Sequence, residues 1–281
     1  MVNAAFSTNH KSRPIGFLPT AAVLGCSILY GCHTPTEAVR ESRLSAAGRA
    51  ALESGTTVIG ASVQGRPIEC ITLGDGPDCA MIIATIHGDE DAGTPLVLHL
   101  ADTLVSRPEL IDGRRIVLVP VANPDGMAHQ TRENVRNVDL NRNYPASNYT
   151  KKPDHGAAPL SEPESVAIHQ LIGRHRPSRI VSIHQVLRSG SPCIDYDGPA
   201  RPLADAMARY CELPVERIGS YPGSLGSYAG ETLGVPIITF ELPPGAKGLR
   251  GAVLWEQYGA ALLAAVVYPE PPADATLRLA K

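Results

Sequence analysis

Three positions in this chain place an acid or an imidazole where an apolar run ends. His87 and Glu90 follow AMIIATI at 80–86, His184 follows RIVSI at 179–183, and Glu241 follows VPIITF at 235–240. A fourth run, RIVLVPV at 115–121, leads into Asn123-Pro124-Asp125-Gly126. A buried strand has no packing reason to end this way, because a desolvated polar group must be paired or hydrogen-bonded. Two His and one carboxylate form a ligand set for catalytic zinc, which keeps a fourth position for water. His87 and Glu90 lie three residues apart, so both can reach one ion as the chain leaves a strand, and His184 adds the second imidazole. A base must stand beside the activated water, and Glu241 is the carboxylate for it. His-x-x-Glu by itself arises by chance, and a lone His184 reads equally well as a satisfied buried histidine. The combination carries the reading.

Arg132 and the run Val138-Asp139-Leu140-Asn141-Arg142-Asn143 add cations and amides. Amide hydrolysis develops an oxyanion, which needs a positive donor. A free carboxylate is best gripped by a planar guanidinium through two parallel hydrogen bonds. Two arginines in one loop can fill both needs. The alternative is a solvated polar loop in which Arg132, Glu133 and Arg136 face water.

These residues need a frame. Apolar runs predict strands at 67–73, 80–86, 115–121, 179–183 and 235–242, with a turn at 74–77. Helical spacing appears at 94–105, 162–174, 201–210 and 252–267. Strands separated by helices imply an α/β fold of three layers, a mixed and mostly parallel sheet flanked by helices. Ligands in such sheets bind at the carboxyl ends of the strands. All four polar endings are therefore expected to converge on one edge.

The 281 residues are 43% hydrophobic and 19% charged, which excludes a disordered tail or a coiled coil. The formal net charge of -3 leaves no basic field for nucleic acid. Lys11 and Arg13 precede an uncharged stretch at 15–31, which reads as an export signal ending at Cys32. The box Leu29-Tyr30-Gly31-Cys32 resembles a bacterial lipoprotein signal with Cys32 lipidated. Val23-Leu24-Gly25-Cys26 competes, but would leave apolar residues 27–30 on the mature chain. A soluble secretory signal and an uncleaved anchor are the other readings. The expected organisation is a signal at 1–32, a tether at 33–55, a catalytic domain at 56–270 and a tail at 271–281. Export and a membrane-attached lipoprotein on the periplasmic side follow. Cys70, Cys79, Cys193 and Cys211 can then pair, with Cys70–Cys79 conceivable across a hairpin, or serve as small buried apolar residues.

The motifs taken together resemble the M14 zinc carboxypeptidase family over about residues 56–270. They run GASVQGRPI at 60–68, His87-Gly88-Asp89-Glu90, Asn123-Pro124-Asp125-Gly126, Arg132, VDLNRN at 138–143, Ser161-Glu162-Pro163-Glu164, Ser182-Ile183-His184 and Thr239-Phe240-Glu241-Leu242-Pro243. The resemblance implies one zinc per chain on His87, Glu90 and His184, with Glu241 as base and proton shuttle. It implies Arg132 as the oxyanion donor, Asn141 and Arg142 as the clamp for a substrate carboxylate, and Asp139 as the carboxylate orienting a ligand histidine. YDGPA at 196–200 and PGSLGSYAG at 222–230 look most like the short bacterial murein peptide amidase type. That type implies a cell-wall peptide substrate cleaved between γ-D-glutamyl and diaminopimelate. Digestive members carry an assisting tyrosine some twenty residues before the base, and neither Tyr221 nor Tyr228 aligns cleanly with it. A zinc deacylase of the aspartoacylase and succinylglutamate desuccinylase type, and a non-catalytic wall-binding lipoprotein, are the competing functions.

Overall fold

The computed structural model describes residues 50, 53–187 and 190–269. The expected signal with Cys26 and Cys32, most of the tether, and the tail at 271–281 lie outside them. Eight strands form one sheet: β1 (Thr56–Ala61), β2 (Pro67–Leu73), β3 (Asp78–Ala84), β4 (Arg114–Val119), β5 (Arg179–Gln185), β6 (Cys193–Asp197), β7 (Val215–Glu216) and β8 (Ile237–Leu242). Their spatial order is β1-β2-β4-β3-β5-β8-β6-β7. The central strands β4, β3, β5 and β8 run parallel, while β1, β2 and β6 pair antiparallel toward the edges.

The central strands are Ile- and Val-rich because both their faces are covered. Alternate residues supply separate cores, as the two-residue period of a strand requires. Ile82 and Ala84 of β3 pack with Leu96, Leu100 and Leu104 of α1 (Gly93–Ser106), Leu203 and Met207 of α4 (Arg201–Ala208), and Leu262 of α5 (Gly251–Val267). Met81 and Ile83 face the other way, onto Ile168, Leu171 and Ile172 of α3 (Pro163–His175). The result is helix, sheet, helix. The remaining helix, α2 (Pro124–His129), is a short one after β4. Among the described residues no helix is long and apolar enough to cross a membrane.

Two expectations change. Residues 70 and 79 do not flank a hairpin, since β4 lies between β2 and β3 and separates the two thiols. Cys70, Cys79, Cys193 and Cys211 are all free, the first three buried. The Asn123–Gly126 ending also supplies nothing to a site. Asn123 caps α2, accepting from the Gly126 N–H at 2.9 Å. Its amide donates to the Ile86 carbonyl at 3.2 Å, just ahead of His87. Asp125 turns away to Ser62 and the Gln64 N–H. This strand end therefore braces the neighbouring loop. The contact admits no side chain at Gly88, where a Cβ would lie 1.9 Å from the Gly126 backbone.

Candidate active site

The loop after β3 begins with a backbone reversal at Thr85, whose φ is 55°. That left-handed conformation is costly for a β-branched residue and recurs at functional sites. Bonds over-determine it: the Thr85 hydroxyl meets that of Thr94 at 2.8 Å, and its carbonyl accepts the Asn123 N–H at 2.9 Å. The turn carries His87 and Glu90 back over the strand ends, where His184 of β5 meets them.

The side-chain donors of His87, Glu90 and His184 lie within 4.8 Å of one another, and all three residues are buried. His87 Nδ1 stands 2.9 Å from Glu90 Oε1, and His184 Nδ1 stands 2.9 Å from Glu90 Oε2. The two Nδ1 atoms face each other at 3.2 Å. Donors around one tetrahedral zinc, bonded at about 2.0–2.1 Å, lie about 3.3 Å apart. The outward nitrogens are engaged elsewhere: His87 Nε2 with Asp139 Oδ1 at 3.0 Å, and His184 Nε2 with the Ser182 hydroxyl at 3.1 Å. Such outer partners fix which nitrogen a histidine offers to a metal. Burial works against a charged His87, yet Glu90 and Asp139 overcome it and lift its pKa to about 9. Burial likewise opposes charge on Glu90 and Asp139, but His87 beside both, with His184 and Arg132, holds each well below the carboxylate range. The pocket is charged to hold a cation between its imidazoles, and the residues fit a zinc ion.

Arg132 is set against this cluster, Nη1 donating to Glu90 Oε1 at 2.9 Å and Nε to Asp139 Oδ2 at 3.1 Å. Asp139 also accepts the Asn141 N–H at 2.9 Å, which starts the short helical turn Leu140–Arg142. Asn141 and Arg142 thereby reach the same cavity, of ≈ 380 Å³, that His87, Glu90, Arg132, His184 and Glu241 line. The β5–β8 register sets His184 opposite Glu241. Every residue expected at the site is thus brought to one cavity, with Asp139 just behind it. Of the two tyrosines, Tyr221 is 52% exposed and lines the cavity, its ring 4.7 Å from the Arg142 guanidinium, whereas Tyr228 is 7% exposed and stacks on Tyr144.

The structure adds residues that sequence reasoning missed. Asp195 and Asp197 on β6 line the cavity and are buried; Asp195 accepts the Ile218 N–H at 2.8 Å and Asp197 accepts the Ser220 hydroxyl at 2.6 Å. Burial, with Asp197 and Glu241 adding to it, pushes Asp195 up to about 6. Their signal was the alternation in Cys-Ile-Asp-Tyr-Asp at 193–197, which places both acids on one face. Gly226 lets the following segment close on them, since a Cβ there would lie 2.1 Å from Asp197 Oδ2.

The zinc carboxypeptidase family model matches residues 53–191. Murein peptide amidase A of Escherichia coli K12 is 34% identical over 217 residues, covering 70% of this chain and 85% of that protein. The chain belongs to the M14 zinc carboxypeptidase family. It is an enzyme of the metallocarboxypeptidase class, and the family is zinc-dependent. Mouse carboxypeptidase M is 39% identical over a shorter 123 residues, 34% of this chain and 28% of that protein. The crystal structure of the murein-tripeptide amidase of E. coli O157 superposes with a TM-score of 0.63 at 29% identity, covering 82% of this chain and 98% of that one. Bovine thrombin-activatable fibrinolysis inhibitor shares the fold at 19% identity, with a TM-score of 0.65 over 84% of this chain and 95% of that one.

Proposed function

We propose that this enzyme hydrolyses a peptide amide whose leaving residue bears a free α-carboxylate and a cationic side chain, with γ-D-glutamyl–diaminopimelate in murein peptides as the substrate. One observation carries it: Arg142 and the Asp195–Asp197 pair line the same cavity as the zinc-type donor set. Diaminopimelate has a carboxylate for the first and a distal amino group for the second. Its distal carboxylate adds a need for a neutral donor, which the Ser191 hydroxyl lining the same cavity offers. The murein amidase relatives favour this substrate over the N-acyl amino acids of the deacylases.

In this reading His87, Glu90 and His184 hold one zinc, which when bound polarises a carbonyl and lowers the pKa of water to about 7. Glu241 accepts the proton of the attacking water and returns it to the leaving amine. Arg132 supports the oxygen that gains charge, from a guanidinium held in advance by Asp139. Asn141 and Arg142 grip the α-carboxylate and set the scissile amide against Glu241. Asp139 fixes the His87 ring.

Export, with Cys32 lipidated, is a further part of the proposal. The free N-terminus and mass of the mature protein test it, and Cys32→Ser is expected to stay unprocessed or leave the membrane fraction.

A muropeptide digest with the released residue identified tests the substrate. Losing a hydrogen bond to a charged group costs about 1.5–3 kcal/mol, so amidating the carboxylate or changing Arg142→Ala is expected to lower kcat/KM about ten- to a hundredfold. Zinc content should not change. Equal cleavage of amidated and free-acid tripeptides would overturn the proposal in favour of a deacylase or endopeptidase.

A further inference from the structure

The segment that follows Glu241 is unusual in what it lacks. Glu241 is the penultimate residue of β8, and Pro243 and Pro244 come next. Neither proline has an N–H, so the chain cannot be held here by ladder bonds that it donates. Its own turn is closed by the Ala246 N–H on the Pro243 carbonyl at 2.9 Å and the Lys247 N–H on the Pro244 carbonyl at 3.2 Å. Those bonds shape the turn but attach it to nothing.

Besides the packing of buried Ala246 in the core, two polar side chains tie it to neighbouring elements, and both lead to the donor set. Gln185 follows His184 on β5 and is 1% exposed. Its amide donates to the carbonyls of Pro243 at 3.2 Å and Pro244 at 3.1 Å, while its backbone N–H donates to Glu90 Oε2 at 3.1 Å. From the other side, the Lys247 ammonium donates to the Asp89 carbonyl at 2.6 Å. Asp89 lies between His87 and Glu90 in the chain. One residue thus joins the segment after Glu241 to β5 and to Glu90, and the other joins it to the loop that carries both His87 and Glu90.

We propose that Lys247 and Gln185 are positioning residues that fix the distance between Glu241 and the His87–Glu90 loop by bracing the Pro243–Lys247 segment against that loop. Lys247 is otherwise exposed, and a long mobile side chain held on one backbone carbonyl needs a reason. Proton transfer supplies it, because misplacing a catalytic group by about 1 Å can cost about 10²-fold in rate. Asn141 and Arg142 stand on a different element. Loss of the brace therefore acts on turnover and leaves substrate grip alone.

The inference rests on Glu241 being the base and on His87 and Glu90 holding zinc, and the test separates its failure from theirs. Lys247→Met keeps the stem and removes the donor; Lys247→Arg restores one. In wild type and both variants, kcat, KM and the rate at which zinc passes to an excess of chelator are measured. Gln185→Met repeats the measurements from the other side of the brace. Lys247→Met is expected to lower kcat about three- to tenfold at unchanged KM and to speed zinc release, with Lys247→Arg recovering most of both. Unchanged kcat and unchanged zinc release in Lys247→Met would overturn the inference. So would a loss that tracks a lowered melting temperature and is not rescued by arginine. If wild-type enzyme cleaves no carboxylate-bearing peptide, the substrate proposal fails, while the chelator measurement still decides the brace.

Discussion

The cavity has two charged ends, and they are built on opposite rules. At the His87 end, Glu90 and Asp139 alternate with two imidazoles and Arg132, so each charge meets an opposite one within 3.1 Å. At the Asp195 end, two carboxylates stand two residues apart and receive a backbone N–H and a hydroxyl. The first arrangement drives its carboxylates below their usual range; the second drives both of its acids above it, with burial the leading cause. Burying a charge without a partner is expensive. The second cluster has far less opposing charge than the first, with Arg217 acting only on Asp197. In the function proposed above, the first end would hold the zinc ion and the second would meet a cationic group of the substrate.

Removing the resident ion's ligands should break the contrast most completely. His87→Ala or His184→Ala leaves two donors, and zinc content by metal analysis should fall together with turnover. Full zinc occupancy in either variant would remove that residue from the ligand set. Glu241→Gln should separate chemistry from metal, keeping zinc while turnover falls by about 10²–10⁴-fold, the usual worth of general acid–base catalysis. Near-wild-type rates would take Glu241 out of the role.

The Asp195 end should respond in KM. Asp195→Asn is expected to raise KM about tenfold or more for peptides leaving a cationic residue, since a charged hydrogen bond is worth about 1.5–3 kcal/mol. Peptides leaving an uncharged residue should be nearly indifferent to the change. With its pKa at about 6, Asp195 gains a proton as pH falls through that value, so wild-type KM for cationic substrates should climb on the acid side. The Asn variant should lack that limb. The smallest effect is on stability. The folded pKa lies above the unfolded one, so protonation of Asp195 favours the fold, and that contribution is lost as pH rises through about 6. Substrate-free Asp195→Asn should therefore melt higher than wild type at pH 7.5 and lose that advantage below pH 5.

The two ends also differ in how much of them the sequence exposes. Apolar runs ending in His87, His184 and Glu241 mark parallel strands delivering side chains to one edge, and β2, β3, β4, β5 and β8 fall within a few residues of their expected bounds. The parallel core was legible because burial on both faces leaves unbroken apolar runs. The edges were not. β1 has no buried residue and no regular alternation, β7 has two residues, and β6 reads as a polar segment. Asp195 and Asp197 look like the solvent face of an outer strand until β7 and the 217–226 segment are seen to enclose them. Asn123 and Asp125 mislead in the opposite sense. Their strand ends at the correct edge, but Pro124 starts a helix there, and both side chains are spent on caps and on the 62–66 loop.

Thr85 carries a consequence for anyone who would engineer this enzyme. A left-handed β-branched residue of this kind costs on the order of 1–3 kcal/mol, so Thr85 is a natural place to look for stabilising replacements. Thr85→Gly would relieve the backbone but forfeit the fully buried hydroxyl bond to Thr94 at 2.8 Å, which limits any gain. The same reversal aims His87 and Glu90, two residues and five residues further on, so the gain would come with a looser grip on the ion. Thermostable libraries of this scaffold should be screened for metal retention at that position before they are screened for anything else.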